Sequence, residues 1–117
     1  MTDYQSDRFF ELWKFTASHG QLLLRANNTN VATTRVEILF KGVLVLNLTA
    51  RLKGLSIDAE QRLQVRDFLG SIDIGGRNFY RVATADFTGY VVAASFYVHE
   101  DDLDYDAPSA LLKKPYV

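Results

Sequence analysis

From Thr34 to Lys41 the side chains alternate, Val36, Ile38 and Phe40 falling on one side and Arg35, Glu37 and Lys41 on the other. A period of two sorts residues into an apolar and a polar face only when the backbone is extended, so this stretch reads as a half-buried strand. After Gly42 a second run places Leu44, Leu46, Leu48, Ala50 and Leu52 opposite Val43, Val45, Asn47, Thr49, Arg51 and Lys53. One glycine separates the runs. They form either a tight hairpin or one long strand bent at a bulge, and the sequence leaves both open.

The same pattern extends outward. Arg8 to Ser18 carries Phe9, Phe10, Trp13 and Phe15. Gln21 to Arg25 follows across Ser18-His19-Gly20, where the glycine can take the positive φ of a turn. Trp13 and Phe15 are expected in the core. Asn27 to Asn30 reads as a polar loop. Toward the other end, Phe79 to Asp86 and Gly89 to His99 are β-rich, and the latter is apolar on both faces, as a covered or central strand would be. One segment differs: Asp58 and Gln61 sit as a capping pair, Val65, Phe68 and Leu69 recur at helical spacing, and Gly70 follows, so a short helix is expected from Ala59 to Leu69. Glu100 to Asp106 is acidic and leads into a proline-containing stretch, so residues 100–117 read as a C-terminal tail on a single domain spanning 1–117. The expected fold is mainly β, an antiparallel sandwich- or barrel-like sheet of about six strands with one short helix.

Composition narrows function by exclusion. With 117 residues, 48% of them hydrophobic, the chain can bury a core without cross-links. It has no cysteine, which removes thiol nucleophiles, iron–sulfur clusters and cysteine-ligated zinc. Thirteen basic residues against 14 acidic ones are interspersed, so no basic face argues for nucleic acid. Arg77-Asn78-Phe79-Tyr80-Arg81-Val82 has some similarity to an RNA-binding strand, but Asn78 and Tyr80 stand where small residues belong, and it reads as a core strand. The apolar run Val43 to Ala50 is far shorter than a bilayer span of roughly 20 residues. The polar, acidic start Met1 to Arg8 is unlike a secretory signal, so a cytoplasmic protein is expected.

Ser18-His19-Gly20-Gln21-Leu22-Leu23-Leu24-Arg25, Lys53-Gly54-Leu55-Ser56-Ile57, Gly89-Tyr90-Val91-Val92-Ala93 and Val98-His99-Glu100-Asp101 together resemble a set of small uncharacterised bacterial proteins. The resemblance covers most of the chain. It implies a bacterial source and no particular activity.

Few residues carry chemistry. His19 and His99 are the only imidazoles, and with Asp101 they could ligate a divalent metal if the fold joined them; otherwise they are a turn histidine and a strand-end histidine. Asp102, Asp104 and Asp106 alternate as in a calcium loop, but Ala107 replaces the required glycine and Lys113 the closing glutamate. Ser18 precedes His19 without a nucleophile elbow, and Gly70, Gly75 and Gly76 lack phosphate-loop spacing. No cofactor is expected. The leading expectation is a non-catalytic interaction module, a homo-oligomer that associates through a sheet face bearing Val43, Val45, Val91 and Tyr97, since a short helix cannot cover all the apolar strand faces. The alternative is a small-molecule-binding or metal-dependent enzyme using His19, His99 and nearby carboxylates.

Overall fold

The computed structural model describes residues 2–27, 33–60, 70, 72–104 and 107–112. They form eight strands: β1 Tyr4–Thr16, β2 Gln21–Ala26, β3 Arg35–Lys41, β4 Val45–Asn47, β5 Arg51–Glu60, β6 Asn78–Ala83, β7 Thr88–Ala93 and β8 Ser95–Asp101. All pairings are antiparallel, in one sheet of order β4-β7-β6-β5-β1-β2-β3-β8. The mainly β, antiparallel expectation therefore holds, and the count of about six is corrected to eight.

The extra strands come from bends. The segment after β3 does not fold back as a hairpin; it bends at Gly42, whose φ of 67° suits a glycine, and continues as β4. Its partner bends at the same level, where β7 becomes β8 across Ala94. Ala94 N–H donates to Lys41 O at 2.9 Å and Leu44 N–H to Val92 O at 2.8 Å, so β3 with β8 and β4 with β7 are two halves of one long paired ribbon.

The bend at Ala94 shifts the alternation by one. Val91 and Ala93 point inward before Ala94, whereas Phe96 packs on the same core after it. Val91 and Tyr97, which strict alternation puts together, thus lie on opposite faces: Val91 is fully buried and Tyr97 is 47% exposed. Val43 packs against the main core and Val45 against a smaller outer cluster of Ile74, Phe79 and Val92. The four residues expected to share an interaction face do not share one.

The main core joins Phe10, Leu22, Leu24, Ile38, Phe40, Leu52, Ile57, Tyr80, Val82 and Val91. Full burial of such side chains contributes roughly 1.5–3 kcal/mol each before entropy is charged against it. Phe40, Tyr80 and Phe96 bring three strands together edge to face or tilted, at centroid distances of 5.8, 5.5 and 5.2 Å. The aromatics of β1 behave differently. With Phe10 and Leu12 on the core, alternation turns Trp13 outward, where it is half-buried, and Phe9 and Phe15 are 51% and 43% exposed. Of the four, only Phe10 is core, which corrects the expectation for Trp13 and Phe15.

The β1–β2 turn is as expected, a single 3-10 turn Ala17–His19 closed by Gly20 with φ 58°. The expected helix from Ala59 to Leu69 begins instead as strand, since Ala59 and Glu60 end β5; residues 61–69 lie outside the described ones. Among the described residues no helix is long and apolar enough to cross a membrane.

Candidate functional site

The polar face of β2 and β3 is where the chain departs furthest from an ordinary solvated strand surface. Register sets Arg25 opposite Glu37, and on the other side sets Glu37 opposite His99 and Arg35 opposite Asp101. In the alternation these residues face away from the core and would be expected in water. They are instead closed off: Arg25 is 2% exposed, and Arg35 and Glu37 are fully buried. Residues 103–104 and 107–112 lie over them as a strap.

The buried charges are matched by geometry. Arg25 donates from Nε and Nη2 to Glu37 Oε2 at 2.9 and 2.7 Å. Arg35 forks onto Asp101, Nε to Oδ1 at 3.1 Å and Nη2 to Oδ2 at 3.0 Å, a bidentate pairing of the kind guanidinium planes favour. The strap supplies neutral acceptors and a donor. Ala107 O accepts from Arg35 Nη1 at 2.8 Å and Arg25 Nη2 at 3.3 Å, and Asp104 O and Pro108 O accept from Arg35 at 3.2 and 3.3 Å. Ser109 Oγ donates to the second Glu37 oxygen at 2.7 Å. Two guanidiniums and two carboxylates thus cancel in charge. The strap is held to the sheet largely by these bonds.

Asp101 titrates accordingly. Burial pushes its carboxyl up, but the Arg35 hydrogen bonds, the Leu103 N–H and the charges of Arg35 and His99 together outweigh this and leave it below its ordinary value of 3.8. A depressed carboxyl stabilises the fold fully only above the unfolded value, and that stabilisation disappears as pH falls through the folded one. Urea midpoints measured from pH 7 down should therefore drop below about pH 4, and Asp101→Asn should remove part of that slope. An unchanged acid slope in the variant would show that Asp101 makes no such contribution.

The residues singled out in the sequence are scattered by comparison. His99 Nε2 lies 3.3 Å from Asp101 Oδ2, so these two meet, but both Asp101 oxygens already accept from Arg35. His19 is exposed on the 3-10 turn beside Ser18 Oγ, 3.2 Å from its Nδ1. That turn lies at the Lys41 end of β3, since Gln21 pairs with Lys41, whereas His99 sits opposite Glu37 farther along. Among the described residues no three histidine or carboxylate side chains are grouped as metal ligands.

At the start of β1 a smaller polar group lies beside the strand ends. Arg8 donates to Asn27 O at 3.1 Å and to Thr34 O, and Thr34 Oγ1 donates to Glu100. Burial, with the Glu100 charge adding to it, holds the Tyr4 hydroxyl above its ordinary value of 10.0, so it is neutral at physiological pH.

Sequence reasoning missed Arg25, Arg35, Glu37 and Ser109 because the covering segment is distant in the chain. The available signal was the Arg35–Glu37 pair on one strand face together with a proline-containing tail able to cover it. Compared with protein-family models, with curated proteins and with solved structures, the chain matches none.

Proposed function

We propose that the chain is a non-catalytic interaction module that self-associates, and that it does so through β8. The observation carrying this reading is the open side of that strand. β7 pairs with β6 only as far as Asn78 opposite Ala93, and the Asn78 side chain takes Ala94 O at 3.1 Å, ending the ladder. Beyond that point β8 has a single strand neighbour, β3, among the described residues. Seven residues without proline or lysine, bearing Tyr97 and Val98 at 47% and 41% exposure, form the kind of edge that templates pairing with another chain.

Charge favours a second copy across a two-fold axis. An antiparallel pair of β8 strands brings the acidic end, Glu100 and Asp101, against the partner's Ser95 end, where Lys41 lies opposite Ser95. Like charges are kept apart.

Light scattering coupled to gel filtration should return about twice the 13.3 kDa of one chain at micromolar concentration. Val98→Lys should return a single-chain mass, because a lysine on the edge blocks strand addition. A single-chain mass for the unmodified protein would overturn the reading.

A further inference from the structure

We infer that the outer face of β2 and β3 is a peptide-binding face, that the strap is the peptide it holds in the closed molecule, and that an extended, serine-containing segment of another chain takes it when the strap leaves. The receptor groups are set by the sheet alone. Two bonds onto Glu37 Oε2 fix the Arg25 guanidinium, and the fork onto Asp101 fixes that of Arg35. All four residues lie on β2, β3 or β8. Their remaining N–H groups are thereby aimed before any peptide arrives, and preorganisation of that kind lowers the ordering cost of binding.

What these groups meet is peptide chemistry. Asp104 O, Ala107 O and Pro108 O accept from the two guanidiniums at 2.8 to 3.3 Å, and a backbone carbonyl is an acceptor that any extended chain presents. One contact reads a side chain. Ser109 Oγ donates to Glu37 Oε1 at 2.7 Å and itself accepts from the Leu111 and Leu112 N–H groups at 3.1 and 3.4 Å. A hydroxyl can do both, and alanine can do neither. Glu37 is thus the residue that selects serine at this place in a bound segment.

Departure of the strap takes no ion from its partner. Arg25 keeps Glu37 and Arg35 keeps Asp101, and the uncovered surface has the polar alternation of a strand face that water solvates. The strap begins two residues beyond the end of β8, so as a tethered occupant it competes at an effective concentration on the order of millimolar. A peptide in solution therefore binds weakly until the tethered contact is loosened. This face and the β8 edge proposed for self-association are different surfaces, and the two readings fail independently.

A fluorescein-labelled peptide of residues 102–112 should be titrated into the full chain by anisotropy, beside the same peptide with Ser109→Ala and a scrambled one. The peptide should bind the unmodified chain saturably near millimolar concentration. It should bind a chain carrying Ser109→Ala about tenfold more tightly, because the tethered competitor has lost one hydrogen bond to a carboxylate. On that same chain the Ser109→Ala peptide should bind about tenfold more weakly than the peptide with serine. Circular dichroism checks that the sheet persists in the Ser109→Ala chain; if it does not, the unmodified chain titrated to millimolar peptide carries the test through the same comparison of serine with alanine. Val98→Lys should leave every titration as it was, which separates this face from strand addition at β8. No saturable binding to either chain, equal affinity of the serine, alanine or scrambled peptides, indifference to Ser109→Ala in the chain, or loss of binding with Val98→Lys would each overturn the proposal.

Discussion

Glu37→Ala should lower the unfolding free energy by about 3–5 kcal/mol, the range seen when one partner is removed from a buried ion pair. The size follows from what remains. Glu37 accepts two bonds from Arg25 on one oxygen and one from Ser109 on the other, with Arg35 3.9 Å away, and it is fully buried. Truncating it leaves a guanidinium out of water without the carboxylate that compensated it, and it frees the strap at Ser109. Desolvated charge costs more to strand than the pair contributes when intact, so replacing both members should be milder than removing one. Arg25→Met with Glu37→Leu in the same chain should accordingly lose less than Glu37→Ala alone, a non-additivity that a double-mutant cycle reads directly. Urea unfolding monitored by Trp13 emission suits the measurement, because the ring stacks on Arg25. A loss below about 1 kcal/mol for Glu37→Ala would mean that water reaches the pair and that the strap does not seal it.

The strand content was readable because alternation is a local property. Val36, Ile38 and Phe40 face the core as their spacing requires, and Leu46, Leu48 and Leu52 do so across a break between strands. Phase was not readable where the ribbon bends at Ala94. Ala94 carries no feature of sequence that marks a slip, yet it separates the inward Val91 and Ala93 from the inward Phe96, so every residue after it falls on the face opposite to the one alternation assigns. Gly42 is the better marked of the two bends, since a lone glycine between alternating runs is compatible with a bulge. Trp13 shows a different limit. A large aromatic in a strand is expected inward, but with Phe10 and Leu12 on the core the alternation itself sets Trp13 on the outer face, against Arg25.

The candidate site was hidden for a different reason. Arg25, Arg35 and Glu37 have the alternation of a wet face, and what dries that face is a segment about seventy residues later whose own sequence, acidic and then proline-containing, suggests a tail. Burial of a polar face is a long-range property, set by which segment comes to lie on it. The exposed candidates failed in the converse way. His19 and His99 have the right chemistry for a metal, but register puts them at different levels of the sheet.

Gly89→Ala should be the most damaging single-methyl change in the chain, costing about 3 kcal/mol or more, at or above the upper end of ordinary overpacking. The reason is space alone, because Gly89 does not have a positive φ. It is buried in β7, and β4 crosses so closely there that a Cβ would sit 3.1 Å from the Asn47 carbonyl carbon and closer still to its oxygen, with Phe87 Cε2 at 2.7 Å. A flexible side chain could move aside; the Asn47 carbonyl is backbone, and moving it shifts β4. β4 is three residues long and pairs only with β7 among the described residues, so it has little else to hold it. Displacing it also disturbs Leu46 and Leu48, which pack on the main core from that segment. Gly42→Ala is a useful comparison, since there the obstacle is the Ala94 Cβ at 2.9 Å together with a left-handed backbone. Left-handed backbone in a non-glycine residue costs of order 1–3 kcal/mol, and Ala94→Gly should recover the steric part of that loss. No side-chain deletion relieves Gly89→Ala, because its obstacle is main chain. If urea unfolding shows Gly89→Ala to be within about 1 kcal/mol of the unmodified protein, β4 is free to move away from β7, and the long paired ribbon ends at the Gly42 bend rather than passing through it.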